Sequence, residues 1–462
     1  KQMRYHRSDL NQYDIQQHTT TTELPAPDSE AAQTNKEIVE PEGPLETKLA
    51  AIWAEVLQLP KVGRLENFFS IGGDSILSIQ VVSKARDAGI SLAPNQLFEH
   101  QSVAALAKSV EQNKDKGAEI PMPVIAPIDN PESYPLSQLQ KAFLFNSQSK
   151  ETDQGQLLLE FTLNGKIDFP TFCDGWQASV DQHDAMRTFI AIGADKTPIQ
   201  QVAAEAKLNW ELMDWSDQTA EMQQTSLESF RAAQQNQTID LKQAPTSRMS
   251  LIKLDTDKHL LIWVCHHIFL DGWSCGIILK DALSFYKNIL DQQTIQLKAL
   301  PNYLAFLDWK NQPDLLLVQR FWQKEMVDFE RPLLFDQPVL SNPQSNLFVD
   351  AVLQLSQKES ADLQTYCQQN QITLSTALQG IWSILLSCFF QTTDVVYGVT
   401  VTGRFANFPQ IESISGLLMS IIPSRFDLSR NSKLNIWLKH LQREQGRKSQ
   451  FENFGLDEIK TP

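Results

Sequence analysis

Between residues 44 and 112 the apolar positions recur at helical spacing. After Pro44, the residues Leu45, Leu49, Ile52, Trp53 and Val56 fall on one face with a period of about 3.6, and proline suits the first turn of a helix. A second pattern, Ile76, Ile79, Val82 and Ala85, begins just after Gly72-Gly73-Asp74-Ser75 and closes at Gly89. A third short helix is predicted from 102 to about 112. These elements read as a small helical bundle. From Tyr134 the texture becomes mixed. Strands are predicted at 157–163, 259–265 and 395–401, and helices at 169–181, 227–235, 276–290 and 376–386. The run Leu260 to Cys265 is apolar without interruption, as a strand covered on both faces would be.

Two stretches lack such patterning. Residues 1–40 are polar, with a threonine run at 19–22 and prolines at 25 and 27, and read as a linker. Residues 114–131 carry charges first and then Pro121, Pro123, Pro127 and Pro131, which makes a semi-rigid spacer. The predicted division is therefore a linker at 1–40, a helical domain at 41–113, a Pro-rich linker at 114–131 and an α/β domain at 132–462.

Composition narrows the function classes. At 462 residues the chain is too long for one ordinary core. Its formal net charge of −15, with no basic run among aromatics, argues against nucleic-acid binding. Cys173, Cys265, Cys275, Cys367 and Cys388 are scattered and form no CxxC pair, so neither a disulfide framework nor a zinc site is expected. A reducing cytoplasm is the natural setting. No apolar run is long enough for a membrane span, and the N-terminus carries no signal-peptide core.

Ser75 follows two glycines and a capping aspartate at the mouth of a helix, where backbone donors are expected to be unpaired and the dipole favours negative charge. An exposed serine there can carry a phosphodiester. A Gly-Gly turn capped by Asp and Ser also occurs in helical proteins of many kinds, so the flanks decide. Leu65-Glu66-Asn67-Phe68-Phe69-Ser70-Ile71 precedes the turn and Ile76-Leu77-Ser78-Ile79 follows it. With Ala51-Ile52-Trp53-Ala54-Glu55-Val56-Leu57 and Leu97-Phe98-Glu99-His100, they give 44–112 a resemblance to the peptidyl carrier domains of nonribosomal peptide synthetases. The resemblance implies an all-α four-helix bundle, with 4'-phosphopantetheine attached covalently to Ser75 by a phosphopantetheinyl transferase.

The buried strand runs straight into His266-His267-Ile268-Phe269-Leu270-Asp271-Gly272. A histidine at a strand end beside a turn can project into a cleft, where imidazole can take a proton from an amine or orient it. Adjacent side chains on a strand face opposite ways, which makes the pair a poor metal chelate and makes His266 a packing residue. The segment resembles the His-His-x-x-x-Asp-Gly motif of condensation domains and of relatives of chloramphenicol acetyltransferase. That family implies a catalytic group of His267, His266, Asp271 and Gly272, with His267 the reactive imidazole, Asp271 held by an arginine, and Gly272 admitting the thioester. Arg404 is the candidate salt-bridge partner. Tyr134-Pro135-Leu136-Ser137-Gln138-Leu139-Gln140, His183-Asp184-Ala185-Met186-Arg187-Thr188 and Ile414-Ser415-Gly416-Leu417-Leu418-Met419-Ser420 match other family segments in order. Gln182 stands where an arginine is usual, and Ser420 where an asparagine is usual. His183 and Arg187 read as structural.

The fold class implied is an α-helical carrier followed by an α/β, two-lobed, chloramphenicol acetyltransferase-like domain, whose second lobe is expected to be incomplete and whose activity alone is expected to be poor. The reaction implied is attack of an acceptor aminoacyl amine on a donor thioester carried at Ser75, forming an amide. Implied partners are the transferase, an upstream adenylation domain and a downstream acceptor carrier, with no nucleic acid and no membrane. Other readings are an epimerization domain, which the Asp74-Ser75 style favours, a hybrid that epimerizes and then condenses, a subgroup that Pro135-Leu136-Ser137-x-x-Gln140-x-x-x-Leu144-Phe145 resembles, and a non-catalytic scaffold that docks carriers.

Overall fold

The helical pattern of the first hundred residues folds into α1 (Gly43–Leu57), α2 (Ser75–Asp87), α3 (Pro94–Glu99) and α4 (Val103–Lys114). This computed structural model describes residues 15–16, 38–92, 94–114, 133–148, 155–310, 315–329, 352–405, 408–429 and 432–454. Trp53, Phe68, Val81, Leu97 and Leu106 fill the bundle core. Glu46 on α1 holds Arg64 through two hydrogen bonds of 2.9 Å, pinning the long turn between α1 and α2. Most of the stretch predicted as a linker at 1–40, and all but Lys114 of that at 114–131, lie outside the described residues.

The chain divides into two compact units. One comprises 1–22, 123–313 and 408–419; the other comprises the helical bundle within 23–122 together with 314–407 and 420–462.

In the first unit, β1 (Ile15–Gln16), α5 (Gln138–Gln148), β3 (Gln156–Asn164), α6 (Phe169–Gln182), β6 (Trp210–Asp214), α7 (Ala220–Asn236), β7 (Ser247–Asp255), β8 (Lys258–His266), α8 (Gly272–Leu290) and α9 (Tyr303–Lys310) form the main body. Its sheet runs β1-β3-β8-β7-β6. Only the β6–β7 pair is parallel. A second sheet joins β2 (Tyr134–Pro135), β5 (Pro198–Val202) and β4 (Thr188–Ile192) in that order. One face of the main sheet is covered by α6 and α8, through Phe172, Trp176, Ile278, Ala282 and Tyr286 packed towards Trp263. The other face packs Ile252, Leu260, Ile262 and Val264 with Leu227 and Phe230 of α7. Both faces of β8 are thus in core, which is why its sequence shows no polar alternation. Glu160 of β3, buried beneath α7, accepts two 2.6 Å hydrogen bonds from Arg231 and pins the helix to the sheet.

In the second unit, β9 (Asp394–Val401) pairs antiparallel with β10 (Ser420–Asp427). Around them lie α10 (Leu315–Glu325), α11 (Gln357–Gln369), α12 (Leu374–Phe390) and α13 (Leu434–Lys448). Leu386, Val395, Phe426, Leu438 and Leu441 form one core, and Val318, Trp322, Ile422 and Phe454 another. Among the described residues, no single helix is long and apolar enough to cross a membrane.

Candidate active site and carrier attachment site

Ser75 opens α2. Asp74 sits at the N-cap in extended conformation, and its Oδ1 accepts 2.8 Å hydrogen bonds from the backbone N–H of Ile76 and of Leu77. This corrects the sequence reading of unpaired donors at this helix mouth: the aspartate takes two of them, leaving exposure as what suits Ser75 to carry a group. Gly72 has φ of +106°, where a side chain is strained, and a Cβ on Gly73 would lie 2.6 Å from the Phe68 carbonyl oxygen. The two glycines therefore let the chain turn sharply onto Phe68 and present Ser75 at the surface. Ser75 is half-buried and Ile76 beside it is 41 % exposed. Ser75 is not buried and begins a helix beside an exposed residue, a setting in which a phosphopantetheine arm on its hydroxyl would fit.

The histidine segment begins at the last residue of β8. His266 is buried, and its Nδ1 accepts a 3.0 Å hydrogen bond from the Ile268 N–H. An accepting Nδ1 puts the proton of the neutral ring on Nε2. His267 leaves the strand, its N–H donating to the Gly155 carbonyl at 2.8 Å. Its ring stacks on Phe143 of α5 with centroids 5.1 Å apart and planes at 21°, and the residue is 6 % exposed. The loop behind the ring is fixed from α5 as well: buried Gln140 donates to the Ile268 carbonyl at 3.0 Å and accepts from the Ser137 N–H at 2.9 Å.

Asp271 caps α8. Its Oδ1 accepts from the Ser274 N–H at 2.8 Å and from the Ser274 hydroxyl at 2.7 Å. Its Oδ2 accepts from the Leu418 N–H at 3.1 Å and the Met419 N–H at 3.3 Å. Gly416 donates to Ser274 Oγ at 2.9 Å, so the segment 416–419 is stitched to the start of α8. Gly272 is the first residue of that helix. Arg404 lies in the second unit, 1 % exposed, in the turn that follows β9. Glu452 of the same unit accepts from the Phe405 N–H at 3.0 Å and from the Thr402 hydroxyl at 3.4 Å, and burial pushes its carboxyl up to about 7.

Other residues singled out in sequence serve the framework. His183 Nε2 lies 2.9 Å from an Asp281 carboxylate oxygen, and Arg187 spans Asp184 and the Ala203 carbonyl at 2.6 Å each. All five cysteines are free thiols. Cys275 is held well above its ordinary range by the neighbouring Cys265 thiol and by burial. Among the described residues no three His, Cys, Asp or Glu side chains are grouped to hold a metal ion.

Residues 130–461 match the family model described as the condensation domain, and 47–110 match that of the phosphopantetheine attachment site. The chain belongs to the condensation-domain family. It carries a phosphopantetheine carrier ahead of that domain, an arrangement of the nonribosomal peptide synthetase kind. One component of the linear gramicidin synthase of Brevibacillus parabrevis is 30 % identical over 330 residues, which is 71 % of this chain and 4 % of that one. Malpinin synthetase of Mortierella alpina is 27 % identical over 437 residues, 91 % of this chain and 5 % of that one. The chain thus spans a small part of the curated relatives it matches. In fold, the condensation domain resembles the cyclization-docking bidomain of a synthetase from Sorangium cellulosum, with TM-score 0.60 and 17 % identity over 75 % of this chain and 70 % of that one. It also resembles the first condensation domain of the calcium-dependent antibiotic synthetase, with TM-score 0.59 and 13 % identity over 72 % and 78 %.

Gln140 and Phe143 are the site residues whose roles the sequence reading did not assign. They stand three apart on α5 and so share a helix face. A helix that sets Gln140 against the Ile268 carbonyl also brings Phe143 to the neighbouring ring.

Proposed function

We propose that this chain holds a donor acyl or peptidyl thioester on Ser75 and that its condensation domain joins it to an acceptor amine, forming an amide bond. The observation that carries this reading is the pair of settings just described: a serine presented at an open helix mouth, and a His267 ring oriented by Phe143 at the end of a rigid strand. The arm supplies a thioester, which is already activated, so orientation accounts for much of the rate. His267 would align the incoming amine and take its proton as the carbon–nitrogen bond forms and the donor thiol leaves. The low exposure of the ring favours this work, because hydrogen bonds to it are little weakened by bulk water. His266 holds the loop through Ile268, and Asp271 braces the start of α8. The proposed division keeps the carrier at 41–113 and the condensation domain at 132–462. Partners would be a phosphopantetheinyl transferase, an adenylation domain that loads the carrier, and an acceptor carrier, in a cytoplasmic assembly.

Intact-mass analysis after incubation with coenzyme A and a transferase tests the first half. A single phosphopantetheine adduct mapped to Ser75, and lost in S75A, is expected; an adduct elsewhere overturns the assignment. For the second half, the loaded chain is mixed with a soluble aminoacyl thioester acceptor. H267A is expected to retain loading and lose product by about 100-fold or more, the ordinary contribution of a positioned acid–base group. Equal product from parent and H267A would sink the catalytic role.

A further inference from the structure

The carrier and the second unit's α/β part meet at Phe98, inside a segment that resembles carrier domains, and at Gly446, which lies in no segment singled out in the sequence. Phe98, on α3 of the carrier, lies across α13 at Gly446. A Cβ built on Gly446 would stand 2.7 Å from Phe98 Cβ and 3.0 Å from its Cγ, closer than side chains tolerate. The ring of Phe98 also meets that of Phe405 edge-on, with centroids 6.1 Å apart. Alongside, the Ser70 hydroxyl of the carrier donates to the Gln368 carbonyl near the end of α11 at 3.1 Å. Three separated pieces of the condensation domain thus converge on one face of the carrier: the turn holding Phe405, the end of α11, and Gly446.

Glycine inside a helix is disfavoured, because it surrenders the most backbone freedom on folding. At position 446 it has a reason. Without a side chain, α13 lets an aromatic ring of the carrier come down onto its backbone. Phe405 is tied through its N–H to Glu452, one turn beyond α13, which fixes that part of the seat.

We propose that Gly446, Phe405 and the end of α11 form a docking seat for this chain's own carrier, with Gly446 the residue that keeps it open. The inference rests on the carrier reading of 47–110 and is independent of amide formation. Ser75 stays half-exposed with the carrier seated, so priming and docking are compatible.

The test uses the full chain in its apo form with S70C and Q368C, and with C388S to remove the exposed natural cysteine. A short bismaleimide is expected to link 70 to 368 within one molecule, located by peptide mass mapping. G446A and G446L are expected to slow that linkage about fivefold or more, the lower end of what overfilling a close contact costs. G446A favours the helix itself, so it keeps the test decisive where the larger residue disturbs folding. Both variants are expected to retain helical circular dichroism and priming at Ser75. No 70–368 linkage in the parent, or linkage in G446A as fast as in the parent, overturns the seat. Failure of the amide-forming reading would leave every one of these results unchanged.

Discussion

Glu452 is a carboxyl placed where charge is costly. It is 2 % exposed, and although the Phe405 N–H and the Thr402 hydroxyl point at it, burial dominates and lifts it to about 7. Because the folded state holds this proton more tightly than the unfolded chain, the stability it contributes is present below the ordinary glutamate range and is lost as pH rises towards 7. Between pH 5.5 and 8 the loss amounts to about 2 kcal/mol, at roughly 1.4 kcal/mol per pH unit. E452Q keeps a neutral acceptor and cannot ionise, so its stability to urea is expected to lack this part of the pH dependence. Identical profiles for parent and E452Q would show that the carboxyl is already ionised across the range. At the same scale, the sequence reading separates His266 from His267 by strand alternation, whereas the strand ends at His266 and His267 lies in the turn beyond it. Glu452 was not legible in sequence, since its elevation comes from burial and from a turn some fifty residues upstream.

The start of α8 shows what an element can and cannot announce. The apolar run predicts a helix at 276–290, but the helix begins at Gly272, because Asp271 caps it by accepting from the Ser274 N–H. What the run cannot announce is that the other carboxylate oxygen reaches 416–419, since no local pattern encodes a contact across more than a hundred residues. The strands follow the same rule. The unbroken apolar run of β8 was legible, whereas β7 mixes Arg248, Ser250 and Lys253 among its apolar residues, and β6 pairs beside it in parallel. Truncation of Asp271 measures the joint between the two segments. D271A removes a helix cap and leaves the Leu418 and Met419 N–H groups without their acceptor, at a cost of about 2–4 kcal/mol from the cap and the buried donors together. Hydrogen exchange is expected to quicken at 416–419 and in the first turn of α8, while α6 stays protected. Unchanged exchange at 416–419 would mean that its order does not depend on the carboxylate.

On the scale of the whole molecule, the proposed seat and the spacer expected at 114–131 leave different signatures. The proline density at 114–131 reads as a semi-rigid spacer, whereas no sequence pattern announces the seat: Phe98 stands in a carrier-like segment, but its neighbour Gly446 lies far along the chain in no recognisable one. Closing a longer loop costs little: doubling the segment between carrier and condensation domain adds only about 0.6 kcal/mol, or a factor of about three in the ratio of seated to released carrier. Inserting a Gly-Ser stretch equal in length to 114–131 is therefore expected to slow the 70–368 cross-link by no more than about threefold, and less where the seated form predominates. G446L acts on the seat and is expected to slow it further, with the two effects multiplying, since the sites are separate. A lengthened tether that stopped cross-linking altogether, with Gly446 intact, would mean that the linker holds the carrier against α13 and the glycine merely tolerates it.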